Sequence, residues 1–535
     1  MLSLFIATVL AQPAFAQSSL PTTVTNLNTT KPSALAQSSS FLAANGFPIA
    51  RQVFLGSNSV LQPQEVRALP GELDSIPVFN SNSPEAIRQP GILLSTFPPQ
   101  GKLHPYAHLN YAFQGRFDVF AHHIAKTDKP DTTPTLYNGI LAYNPSATRS
   151  ITINVLKAAS FLGTPDAPYV NLPAFLENPT GRVYSGPGGR LTDALLRTNR
   201  QTHWPSRIFL GPKQSVMLMN LPVPVPRPAA ARTRWVPVAR TILPTLIQQR
   251  PTLTPIPLNR ASSSNARSTM MQLNSSGPIY MAYLATYAPS LPGGGEGIPS
   301  KSEWENLIVN GKLTEPRDQA PSPFDNLTDR FYYGRVSGIS RGSQWHAQVT
   351  DKPRSKRLSI PEPGEAFSYG LSTLPRGTFG TGQVQSAPML ARYPDTAYMA
   401  HGNYGVHYHL ELPLHNPTKR DRQVVLVVQT PLKQNIWDRG LRFLRTLPEQ
   451  IFFRGTVRVR YKDDNDVLQE RYYHLNQRQG EPGYPLVQLN LEHKSERTVT
   501  LDYMYPPDAT PPQVLTVQTL DDNPFPQQSA YGNQR

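Results

Sequence analysis

Proline decides what this chain can fold into. It supplies 56 of the 535 residues, roughly 10% against a usual ~5%, and it is spread along the whole length. A proline has no N–H to donate and a fixed φ, so it is excluded from helix interiors and central strands. Long helices are therefore nearly ruled out. The expectation is an all-β chain of short strands, with short helices and long Pro-rich loops.

A chain of 535 residues exceeds what one hydrophobic core usually serves, which points to two domains. It contains no cysteine, so disulfides, thiolate metal sites and cysteine nucleophiles are excluded. Core burial alone must hold it together. Beyond the first sixteen residues no stretch approaches the ~20 apolar residues of a membrane-spanning helix.

Alternating apolar and polar residues mark half-buried strands. Phe117 to Ile124 is one. Leu136 to Ala142 runs into the turn Asn144-Pro145-Ser146, and Ile151 to Leu156 returns. Later, Tyr408 to Leu414 runs into Asn416-Pro417-Thr418, and Gln423 to Val428 returns. Lys213-Gln214-Ser215 and Lys494-Ser495-Glu496 extend the parallel in the same order. The expectation is two β-sandwich-like domains in series, at 47–315 and 326–522, joined by the proline-crowded linker 316–325. Ser300 and Glu303 have capping-box spacing ahead of Trp304, with Asn310-Gly311 as the stop. Leu191 to Thr198 reads as a further turn or two of helix.

Residues 1–16 read as a secretory signal: an apolar run, Pro13, then Ala14-Phe15-Ala16 with small residues before a cleavage point. No Lys or Arg precedes that run, a departure from the usual pattern. A Ser/Thr/Gln/Asn-rich leader follows over 17–46, and a flexible tail closes the chain over 523–535. Export, to the periplasm, outer envelope or exterior, is the implied destination.

Net charge is +15, and it is unevenly placed. From Asp193 to Glu296 no acidic residue intervenes, while eleven Lys and Arg do. Within that span lies a proline-rich insertion, 221–258, of polyproline II character. Arg227, Arg232, Arg234, Arg240, Arg250 and Arg260 are the candidate contacts. A single-sign patch of this kind attracts polyanions. For an exported protein these are acidic polysaccharide or an envelope surface rather than nucleic acid.

Chemistry-bearing clusters are few. In His407-Tyr408-His409-Leu410-Glu411 the period of a strand puts His407, His409 and Glu411 on one face. Two imidazoles and a carboxylate suit zinc or another divalent ion, with His401 or His122 closing the set. Gly338-Ile339-Ser340-Arg341-Gly342 matches the nucleophile-elbow letters. The next residues, through Val349, read as a strand where that motif requires a helix, so a hairpin loop is expected. Asp463 to Asp466 lacks the glycine and glutamate of a calcium loop and reads as a hairpin turn. Strand tyrosines such as Tyr283, Tyr408 and Tyr472 offer either core packing or stacking on sugars.

Several segments resemble a family of exported cyanobacterial proteins known only as a domain of unknown function. They are Leu61 to Gly71, Pro77 to Pro84, Gly115 to His123, Phe453 to Tyr461 and Tyr505 to Gln513. The resemblance spans roughly Val60 to Leu520, with the insertion around Val223 to Gln249 departing from it. It implies an envelope or secreted location and supplies no activity, cofactor or catalytic residue. The sequence thus favours a non-enzymatic envelope protein that binds anionic surface polymer. A metal-dependent hydrolase using His407, His409 and Glu411, and an adhesin or scaffold with protein partners, are the alternatives.

Overall fold

The computed structural model describes residues 53–55, 58–127, 133–198, 200–225, 234–236, 254–256, 264–323 and 330–521. The expected signal 1–16, leader 17–46 and tail 523–535 lie outside the described residues, as do Arg227, Arg232, Arg240, Arg250 and Arg260. Arg234 opens a short strand, Arg234–Val236, paired with Thr254–Ile256. The fold is all-β, as the proline content requires: strands dominate, and the two α-helices among the described residues span ten residues each. No described helix is long and apolar enough to cross a membrane.

The first sandwich is organised by one strand, Ser264–Tyr287. Its register breaks between Ser275 and Ile279, where Gly277 and Pro278 interrupt regular pairing. The first half pairs with Phe113–Lys126 and Ile151–Leu162. The second half pairs with Leu136–Tyr143 and Gly91–Ser95. One strand therefore serves two sheets. Phe117, Val119, Ile153 and Leu273 from one meet Ile140, Ala142, Met281 and Tyr283 from the other in a shared core.

The second sandwich closes over its own core. Phe367, Val424, Leu426 and Val517 line the five-stranded sheet, and Tyr408, Leu410, Val459 and Leu501 line the eight-stranded one. Alternation from His407 to Leu412 puts Tyr408 and Leu410 into this core and leaves His407, His409 and Glu411 on the far face.

The two bodies also exchange strands across the expected join at 316–325. Val336–Arg341, which comes after it, pairs with Pro77–Ile87 in the first body. Phe175–Glu177 and Glu72–Leu73, which precede it, cover the two ends of the eight-stranded sheet. Glu65–Arg67 covers one end of the five-stranded sheet. An open sheet edge presents unpaired N–H and C=O groups, and short covering strands remove that liability.

The helix Lys301–Asn310 starts and stops where the sequence places it. Ser300 Oγ accepts from Glu303 N–H, and Glu303 returns the bond to the Ser300 backbone. The other helix, Pro187–Leu196, begins four residues before the expected Leu191. Its cap comes from a distant part of the chain: Asp508 Oδ2 accepts from the N–H groups of Gly188 and Gly189, at 2.8 and 3.1 Å. Gly188 is needed bare at this point of approach, since a Cβ there would lie 2.4 Å from Pro507. Leu191 and Leu195 then wedge between the bodies, against Phe120, Met270 and Met504.

Candidate functional site

The outer face of the eight-stranded sheet carries a continuous cross-strand row. Gln344–Gln348 runs parallel to His407–His415 with His346 opposite His409. On its other side Glu496–Met504 runs antiparallel, with Asp502 opposite His409. Beyond it Ile451–Lys462 sets Arg458 opposite Asp502, and Leu468–Arg478 sets Tyr472 opposite Arg458. Directly opposed side chains in a sheet lie within contact distance of one another. The row His346, His409, Asp502, Arg458 and Tyr472 is therefore one connected unit.

Asp502 is its hub. Its carboxylate is 1% exposed and accepts on both oxygens. His409 Nδ1 lies 2.7 Å and His407 Nε2 3.2 Å from Oδ1. Arg458 and Arg460 approach Oδ2 to 3.1 and 3.2 Å. Burial by itself raises the carboxyl's pKa, but the bonds from His407 and His409 and the Arg458 charge outweigh it. The group is held well below the ordinary carboxylate range. A buried carboxylate ringed by donors stays ionised.

Around this hub the expected metal set regroups. His346, His409 and Glu411 bring one ligand atom each within 4.8 Å of one another. His409 Nε2 lies 3.4 Å from Glu411 Oε1, and the His346 and His409 rings meet edge to face at 4.8 Å. His407 shares the face, as its spacing predicts, yet its ring turns to Asp502 instead. Neither proposed fourth ligand joins. His401 is buried against Tyr333 and Phe331, and burial pushes its pKa down to about 4. His122 belongs to the first body, where Nδ1 bonds Ser268 Oγ at 2.7 Å.

His346, Asp502 and Arg458 were not singled out by the sequence. Alternation in Gln344-Trp345-His346-Ala347 and in Thr500-Leu501-Asp502-Tyr503 does put His346 and Asp502 on the outer faces of their strands. What the sequence lacks is the register that aligns those strands with His409.

The family described as a protein of unknown function, DUF3370, matches residues 64–519. The chain belongs to that family. The match takes in both sandwiches and the whole cross-strand row, and no curated protein matches the chain.

In this DUF3370 chain the remaining motifs have structural explanations. Ser340 is 1% exposed in the strand Val336–Arg341, with Asn80 Nδ2 donating to its Oγ at 3.4 Å. The next element is the strand Gln344–Gln348, so the nucleophile-elbow context is missing. The expected hairpin is not formed either, because the two strands belong to different sheets. Gly342, with φ +114°, makes the joint between them. Beside it Ser343 Oγ donates to Asp118, which also pairs with Arg116. Burial raises the Asp118 pKa against the opposing pull of Arg116 and Ser343. Asp463 makes the expected turn, its Oδ1 accepting from the N–H groups of Asn465 and Val467 at 3.0 Å each. Tyr283 and Tyr408 are core residues and present no ring to a sugar.

Proposed function

We propose that this chain is an exported, non-enzymatic protein of the cyanobacterial envelope or exterior that binds anionic surface polymer through its basic insertion. The single observation that carries the reading is the acid-free run between Asp193 and Glu296 with its eleven cationic residues.

Four of those eleven are held by neighbouring groups of the first sandwich, and Arg207 lies exposed on the strand Arg207–Leu210. Arg197 pairs with Asp193. Arg267 is 4% exposed and donates to Pro222 O and Ser160 Oγ. Arg200 and Lys213 donate to the carbonyls of Trp204 and Pro145. The run from Arg227 to Arg260 holds six arginines with no acid among them. In sequence it lies between the strands Ser215–Val223 and Ser264–Tyr287, both of the first sandwich. Six like charges on so short a run attract a polyanion at long range, and salt screens that attraction over about 8 Å at physiological strength.

Retention of the full chain on immobilised polygalacturonate at low salt tests this. Changing Arg227, Arg232, Arg234, Arg240, Arg250 and Arg260 to Gln should abolish retention. Equal retention would remove the insertion from the account. Retention on a neutral dextran column to the same extent would remove the polyanion.

A further inference from the structure

We propose that His346, His409 and Glu411 form a binding site for a divalent ion of the zinc type, with Asp502 as the residue that orients His409. The site is independent of the basic insertion and lies on the other sandwich.

The argument begins with the two nitrogens of His409. Nδ1 lies 2.7 Å from Asp502 Oδ1. Asp502 also takes Arg458 and Arg460 on its second oxygen, so it is an anion and a His409 proton sits on Nδ1. Nε2, the nitrogen that Asp502 does not hold, points at Glu411 Oε1, 3.4 Å away. A proton on Nε2 bridges those two atoms, and a metal ion that displaces the proton would bridge them in the same place. A neutral imidazole with its other nitrogen held by a carboxylate is the arrangement that protein zinc sites use to fix and strengthen a histidine ligand.

The third ligand comes from the neighbouring strand. Parallel pairing sets His346 opposite His409, and the three candidate atoms lie within 4.8 Å of one another. Metal–ligand bonds of about 2.0–2.2 Å require them to draw closer by modest side-chain rotation. His346 is exposed and has room to make that movement. Imidazole with carboxylate suits zinc and related transition ions, whereas calcium and magnesium prefer all-oxygen sets. With three protein ligands, the remaining positions face solvent and are open to water or to an oxygen ligand from outside.

Calorimetric titration of metal-free full-length protein with zinc chloride tests the site. One equivalent should bind saturably, and magnesium should not compete. His346→Ala should weaken binding at least about tenfold, the scale on which even outer partners of a metal site act. Being exposed, it should leave the thermal midpoint of the metal-free protein unchanged. His407→Ala should keep one equivalent, since His407 lies outside the trio. Zinc-edge absorption should report two imidazoles in the native complex and one in the His346→Ala complex. No saturable binding, or binding unaltered by His346→Ala, would overturn the proposal.

Discussion

Asn144 and Asn416 make the same set of hydrogen bonds in the two sandwiches. Asn144 Nδ2 donates to the carbonyls of Arg149, Leu210 and Gly211, and its Oδ1 accepts from Ser146 N–H. Asn416 Nδ2 donates to the carbonyls of Arg420, Leu491 and Glu492, and its Oδ1 accepts from Thr418 N–H. Both side chains are fully buried. Each fastens an Asn-Pro corner to the turn that carries a positive-φ lysine, Lys213 in one body and Lys494 in the other. The shared clasp is what two related sandwiches would produce.

Truncating either clasp strands buried carbonyls. Asn144→Ala or Asn416→Ala should each cost about 2–4 kcal/mol, because unmet buried acceptors cost ~1–3 kcal/mol apiece and only some can reach water. Urea denaturation measures it. An unchanged midpoint in both variants would show that the corners do not bear on stability.

The Asp508 cap invites a second substitution. Asp508→Ala removes the acceptor for Gly188 and Gly189 N–H and for the Tyr169 hydroxyl. A lost cap with its charge–dipole contribution is worth about 1–2 kcal/mol. The Pro187–Leu196 helix should fray first, seen as faster amide exchange at Leu191 and Leu195. Unaltered exchange there would contradict the capping role.

Asp502→Asn keeps the shape of the hub and removes its charge. Breaking a fully buried ion pair costs ~3–5 kcal/mol. Arg458 and Arg460 are partly exposed, and water screens what they lose, so the expected cost is about 2–3 kcal/mol. Thermal unfolding checks it, and a variant as stable as the native chain would mean that the four donors find other partners.

Buried histidines make stability depend on pH. Burial lowers His401 and His108 to about 4, and lowers His474, with help from the Arg454 charge, to about 3. Above pH ~6.5 neither the folded nor the unfolded chain is protonated there, and these groups contribute nothing. As the pH falls from ~6.5 to ~4, the unfolded chain binds protons that the native state refuses, so stability drops. Denaturation midpoints between pH 7 and 4.5 should fall steadily. His401→Phe, which keeps a ring against Tyr333, should flatten part of that slope; a midpoint constant down to pH 4.5 would contradict the account.

Local rules carried the strands, the Ser300 capping box, the Asn-Pro corners and the Asp463 turn, because each depends on residues a few positions apart. Long-range pairing lay beyond them. The start of the Pro187–Leu196 helix depends on Asp508, 320 positions from Gly188. Strand exchange was invisible for the same reason: Phe175–Glu177 is three residues long and has no pattern that names Leu468–Arg478 as its neighbour. The face of His407, His409 and Glu411 was legible, whereas the ring orientations that trade His407 for His346 depend on tertiary register.

The most direct test of the functional account is the affinity of the full chain for soluble polygalacturonate across ionic strength. The native chain should bind at low salt and weaken steeply as salt rises, while the six-arginine variant binds weakly at every salt concentration. A native affinity that ignores salt, or two curves that coincide, would contradict it.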